Sequence, residues 1–189
     1  MRSLKTKHAK LLRKNPWMEV GQVSRELQQV GSELTGIEEK RRKVIKIADR
    51  MVKALRPHVP CESGCTACCH MNTLIYEHEA KSLAEVSGRP MTILPYRPMH
   101  VVLAEGNKYN HQPCPFLVSN RCSVYEHRPL VCRVHHSLSD SALDCNPYIS
   151  PERPPMYTPD IVEIPYRIIN AAINPLEPWG NIAEFFPSE

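Results

Sequence analysis

The segment Cys61-Glu62-Ser63-Gly64-Cys65-Thr66-Ala67-Cys68-Cys69 constrains this chain more than any other feature. It places four thiols within nine residues, and four more cysteines follow at Cys114, Cys122, Cys132 and Cys145. Eight cysteines can staple a secreted domain or ligate metal. The basic N-terminus, Met1 to Lys7, is not followed by an apolar run of the secretory type, so export is not expected. The expected compartment is the reducing cytoplasm, where disulfides are rare. The adjacent pair Cys68-Cys69 also suits two separate bridges poorly. Metal or redox chemistry is the expectation that remains.

Thiolates bind zinc and iron strongly because both metals accept soft, charged sulfur donors. Short gaps let a little backbone place several sulfurs around one ion at small loop-closure cost. A helical segment would put positions 61, 65, 68 and 69 on one face, leaving the later cysteines to complete the shell. A loop would point Cys68 and Cys69 apart, toward two different sites. Eight thiolates exceed the needs of one zinc. The pattern implies either two metal sites or one polynuclear cluster with further thiols nearby. All eight cysteines are candidate ligands; the bland alternative is that some, Cys145 above all, are buried apolar residues. A Cys₄ zinc site normally shows two tidy CxxC pairs. One dense segment followed by scattered cysteines fits an iron–sulfur cluster better than two zinc knuckles.

Cys65, Cys68 and Cys69, then Cys114-Pro115-Phe116-Leu117, then Cys122-Ser123-Val124-Tyr125-Glu126-His127-Arg128-Pro129 and Cys132-Arg133 resemble the CxxCxxCC family of cysteine cluster proteins. The resemblance covers roughly residues 58–150, with several spaced elements matching in order. The family is described as a zinc- or iron-chelating domain and carries eight characteristic cysteines, the number present here. Three residues separate Cys61 from Cys65, more than the family's usual gap, and Thr66 stands where glycine is frequent. A related, larger group resembles flagellin lysine methylases, for which an iron–sulfur cluster is the expected cofactor. The resemblance implies metal binding first and enzymatic activity only secondarily.

Around the cysteines, three zones are expected: a basic helical region over 1–56, the cysteine-cluster domain over 57–150, and a proline-rich extension over 151–189 with one short helix. The net charge of +4 conceals an asymmetry: residues 1–56 carry 15 Lys and Arg against 6 Asp and Glu. A basic arm can meet nucleic acid or an acidic partner; more often it is a solvated helical face. No aromatic residues are interleaved to make a single-strand platform. The strongest helix expected is Ile37–Leu55, with Thr35 as N-cap and Glu38 completing a capping box. Ile37, Val44, Ile45, Ala48, Met51, Val52 and Leu55 form its apolar stripe, and Glu38, Lys40, Arg41, Arg42, Lys43, Lys46 and Arg50 its polar face. A second helix is expected over Trp17–Val30 with Gly31 as C-cap. Thr73–Tyr76 is extended, Glu77–Ser87 is a helix ended by Gly88, and Ser119-Asn120 turns a small hairpin between Pro115–Val118 and Arg121–Tyr125. Pro129 opens a short helix through Val134, and Pro159-Asp160 starts one through Ile173 that Pro165 interrupts. The fold class is α+β: mostly helices and loops, a small antiparallel sheet, and a core organised around a cysteine-ligated metal.

His70, His135 and His136 lie beside cysteines and could ligate zinc, or simply hydrogen-bond near it. Arg128 and Arg133 could donate to sulfur and tune its charge. Glu77 and Glu79 are expected as helix-start carboxylates rather than as an acid or base. No phosphate-binding glycine loop, nucleophile triad or dinucleotide fingerprint is present, and no catalytic residue is assigned. The functions consistent with these residues are a metal-binding protein holding an iron–sulfur cluster or zinc, an iron–sulfur-dependent methyl-transfer or redox enzyme or subunit, and a zinc-stabilised nucleic-acid-binding module. The partners expected are a metal ion or cluster first and a protein second; nucleic acid is the weaker expectation. No run of about 18 apolar residues suggests a membrane span.

Overall fold

Apolar residues at positions i, i+4 and i+7 recur in three helices, and these pack together as the first of two units. The computed structural model describes residues 2–61, 64–145 and 160–188. Glu62 and Ser63 of the dense cysteine segment, and Pro159 at the start of the last expected helix, lie outside the described residues. Unit 1 combines residues 1–61 with 133–175, and unit 2 combines 62–132 with 176–189. The fold is α+β and mostly helical. Among the described residues no helix is long and apolar enough to cross a membrane.

In unit 1, α1 (Arg2–Lys14) buries Leu11 and leads through a tight turn, Pro16–Met18, into α2 (Val20–Ser32). Helix α3 (Ile37–Leu55) follows, and α7 (Asp160–Ile173) packs on both α2 and α3. Val23, Leu27 and Val30 of α2, Val44, Ile47, Ala48, Met51 and Leu55 of α3, and Val162, Tyr166 and Ile169 of α7 are buried. Helix α3 has the bounds expected, but two details differ. Gly36 is the N-cap, without a side-chain cap bond, while the Thr35 hydroxyl turns to Glu33. Arg41, expected on the polar face, is buried, and Ile47 joins the stripe in its place. The Arg41 guanidinium donates to Asn170 Oδ1 on α7 at 2.7 Å and to Glu38 at 2.6 Å, which is how a buried cation is tolerated.

The remaining charge of α3 is largely matched inside the unit. Lys43 pairs with Glu33, which caps the end of α2, and Arg50 with Glu26 within α2; Arg42 pairs with Glu39. Lys40 donates to the carbonyl of Gly31 at 2.7 Å, satisfying an orphan acceptor at the C-terminus of α2. Gly31 therefore lies inside that helix rather than capping it, because α2 runs on to Ser32. Trp17, expected inside the helix, belongs to the preceding turn, and the Arg50 guanidinium sits over its ring at 4.2 Å. Pro165 does not interrupt α7; the helix continues through it, with Val162, Tyr166 and Ile169 buried on either side.

Unit 2 is built on β1 (Leu74–Tyr76), which pairs antiparallel with β4 (Trp179–Asn181), and each strand leads directly into a helix, α4 (Glu77–Ser87) and α8 (Ile182–Phe185). Asn181 Oδ1 caps α8 by accepting from the Ala183 amide at 2.8 Å. Gly180 is needed by close approach: a Cβ there would stand 2.9 Å from both Arg97 and Leu94. Helix α4 ends at Gly88 in the left-handed conformation, φ 69°. Helix α5 (Met99–Gly106) follows an extended stretch. The hairpin forms from β2 (Leu117–Val118) and β3 (Arg121–Cys122), with Leu117 opposite Cys122. Ser119 and Asn120 both take positive φ, 48° and 57°, the combination that matches the twist of a two-residue hairpin. Helix α6 (Leu130–Val134) comes next. The core gathers Ile75, Ala80, Leu83, Phe116, Val124, Ile182, Phe185 and Phe186, with Cys114 and Cys122 packed against it.

Candidate metal centre

The dense cysteine segment is neither of the two regular forms considered above. Gly64 takes φ 93°, and Ala67–His70 form one turn of 3₁₀ helix, closed by the Cys69 amide donating to Thr66 at 2.9 Å. Within that turn Cys68 and Cys69 are neighbours, and the Cys69 side chain acts on the Cys68 thiol. The next cysteine arrives by backbone pairing: the Cys114 amide donates to the Cys69 carbonyl at 2.7 Å, and the His111 amide to His70 at 2.7 Å. From there Cys114 accepts the Leu117 amide at 2.9 Å, which opens the hairpin and carries Cys122 in β3. Cys132 follows in α6.

Cys65, Cys68, Cys69, Cys114, Cys122 and Cys132 thus belong to unit 2, whereas Cys61 and Cys145 belong to unit 1. All eight are partly buried, and among the described residues no disulfide joins any of them. Among the described residues, too, no three His, Cys, Asp or Glu side chains already converge as a ready metal shell. The donor set nevertheless fits zinc or iron in kind: six sulfurs share one unit, several within electrostatic reach of one another.

Residues 60–150, just under half of the 189-residue chain, match the family model CxxCxxCC, described as a putative zinc- or iron-chelating domain. This segment is similar to the CxxCxxCC domain. No curated protein and no solved structure matches the chain.

Within the matched segment, three thiols hold their protons tightly. The hydrogen bond from Cys69, then burial, pushes the Cys68 thiol well above its ordinary value. Burial lifts Cys114 from 9.0 to about 11, with Cys122 and Cys68 adding to the rise. Burial also raises Cys132 strongly, helped by Cys68, Cys114 and Glu79, while Arg128 opposes it. In the absence of metal these three groups are neutral at physiological pH. A divalent cation must therefore displace protons to gain thiolate ligands.

Glu79, expected as a helix-start carboxylate, has a second part. Its Oε2 accepts the Tyr76 amide at 3.0 Å, capping α4, and its Oε1 accepts the Leu130 amide at 2.9 Å. One side chain thereby ties the start of α4 to the start of α6, two residues before Cys132. The capping half was legible from its place in the first turn; the cross-tie depends on residues 51 positions apart. Glu77 pairs with Lys81 at 2.8 Å on the helix surface. His70 Nδ1 lies 3.1 Å from the Thr66 carbonyl, a hydrogen bond beside the cysteines. His135 and His136 fall in unit 1, as does Arg133, which donates to Asp49 at 2.9 Å.

Proposed function

We propose that Cys65, Cys68, Cys69, Cys114, Cys122 and Cys132 bind a single zinc or iron centre as thiolates, and that this centre is an iron–sulfur cluster. The observation that carries the reading is the 2.7 Å hydrogen bond from the Cys114 amide to the Cys69 carbonyl. It supports one centre shared by the dense segment and the later cysteines, rather than two separate CxxC knuckles. The family description, zinc- or iron-chelating, supports the metal and leaves its form to the residues.

A bound cluster would supply electron-transfer chemistry, whereas zinc would supply a structural cross-link. The chain's own part is to bring the sulfurs together and to release their protons. The thiols are adjacent but not pre-assembled, as expected where metal binding contributes to folding.

The test is protein purified without oxygen. It should be brown and contain iron and acid-labile sulfide. Colourless protein containing zinc, even after expression with added iron, would replace the cluster by zinc; metal-free protein would overturn both. Cys61→Ser and Cys145→Ser report whether the expected eight-ligand set extends beyond these six.

A further inference from the structure

The basic part of unit 1 is not uniform: one helix has its charge matched and another does not. On α3, Arg41, Arg42, Lys43 and Arg50 each pair with a carboxylate from α2, α3 or the turn between them. On α1 the situation is reversed. No Asp or Glu precedes Glu19, whereas α1 carries Arg2, Lys5, Lys7, Lys10, Arg13 and Lys14. Lys7 is used inside the unit, donating to the Leu138 and Ser139 carbonyls at 3.4 and 3.3 Å and pairing with Asp140. Lys10, Arg13 and Lys14 are exposed, and among the described residues none of the three pairs with a carboxylate. Spacings of three and four residues make Lys10 a surface neighbour of both Arg13 and Lys14. His58, in the tight turn Arg56–His58, is held below its ordinary value first by burial and then by Lys14, Lys10 and Lys7. The positive field of α1 therefore extends over that turn.

The rest of α1 limits what such a surface can meet. A helix that lies on a bilayer inserts its apolar side. That side is already spent here, with Leu11 fully buried and Leu12 partly so. Single-stranded nucleic acid is held largely by bases stacked on aromatic rings. Trp17 is the only Phe, Trp or Tyr before Tyr76, and the Arg50 guanidinium already covers its ring. A duplex needs neither an apolar face nor a stacking platform. It offers about one negative charge per 1.7 Å of its axis, and Lys10 to Lys14 set three cations within about 6 Å of helix.

We infer that the outer face of α1, through Lys10, Arg13 and Lys14, is a docking surface for the phosphate backbone of duplex nucleic acid, gripped without regard to sequence. The residues lie in unit 1, so the inference stands or falls apart from the metal centre.

Full-length protein, with the metal it carries from purification, is titrated against short fluorescent duplexes of DNA and of RNA, each in two unrelated sequences. Three phosphate contacts predict an affinity that falls about 40-fold between roughly 50 and 200 mM salt, alike for both sequences. Whichever duplex binds more tightly identifies the source of the backbone. Lys10→Gln/Lys14→Gln should leave roughly one contact, and the fall should shrink to about 3- to 4-fold. Arg42→Gln/Lys43→Gln removes the same net charge from paired positions on α3 and should keep the wild-type salt dependence. Absence of duplex binding at the lower salt would overturn the inference. So would equal weakening by the two double variants, since net charge alone would then be acting. Tighter binding to single strands, or to phosphatidylserine vesicles, than to either duplex would overturn it as well. Far-ultraviolet circular dichroism checks that the variants keep the fold. Should Lys10→Gln/Lys14→Gln fail to fold, Lys10→Gln decides alone: the logarithmic salt slope should drop by about 0.9, and an unchanged slope would overturn the inference.

Discussion

Cys114 combines three roles in one residue. Its amide joins the hairpin to the dense segment, its carbonyl opens β2, and its thiol packs against the core while remaining a candidate ligand. The folded, metal-free protein holds the thiol proton to about pH 11, whereas an unfolded chain releases it near 9.0. A raised folded pKa stabilises the fold fully below the unfolded value and loses that contribution as the pH climbs to the folded one. Metal-free protein should therefore lose stability between about pH 9 and 11, as urea midpoints across that range would record. Zinc affinity should move in the opposite direction and strengthen with rising pH, because each ligand surrenders a proton on binding. A flat affinity from pH 6 to 9 would show that thiols are not the ligands. Glu79 gives a second residue-level expectation. Glu79→Ala leaves the Tyr76 and Leu130 amides without their partner and should cost about 1–3 kcal/mol per buried group left unsatisfied. Chelator competition should also show weaker zinc binding, since the start of α6 ahead of Cys132 is no longer tied down.

Individual elements show where local sequence decides structure and where it does not. Helix α4 and its glycine stop were legible because Gly88 adopts φ 69°, which the sequence signals without help from tertiary contacts. A Cβ at Gly88 meets nothing within 4 Å, so Gly88→Ala should cost about 1–2 kcal/mol from backbone strain alone. Chemical denaturation would measure that loss, with metal content unchanged. The hairpin was legible for the same reason: Ser119-Asn120 tolerate positive φ between two apolar runs. Strand β4 was not, because Trp179-Gly180-Asn181 has no alternation to read, and its partner β1 lies about a hundred residues earlier. Arg41 was misplaced on the polar face because a guanidinium at that helical position is expected outward; Glu38 and Asn170, the latter from a helix far along the sequence, make its burial acceptable. Asn170→Leu removes one of these partners and leaves the Glu38 pair, so it should destabilise unit 1 by about 1.5–3 kcal/mol, the range for a hydrogen bond to a charged group. At the metal centre, the sequence showed which residue types were present and their order. It could not show that the Cys114 amide pairs with the Cys69 carbonyl, nor that Arg133 turns to Asp49.

Across the molecule, each unit draws on two stretches of chain, and they differ in what stabilises them. Unit 1 has three helices with continuous apolar stripes. Unit 2 has short strands, short helices and turns around a modest core, with six thiols in the same unit. Metal removal should therefore loosen unit 2 far more than unit 1. Hydrogen exchange after chelation should accelerate at the Cys114 and Leu130 amides while the α3 amides keep their protection. The most direct test of the account is the metal and thiol content of native protein purified without oxygen. Iron or zinc should be present in stoichiometric amount, and the thiols of Cys65, Cys68, Cys69, Cys114, Cys122 and Cys132 should resist alkylation until the metal is chelated. Metal-free native protein whose six thiols alkylate as readily before chelator as after it would contradict the account.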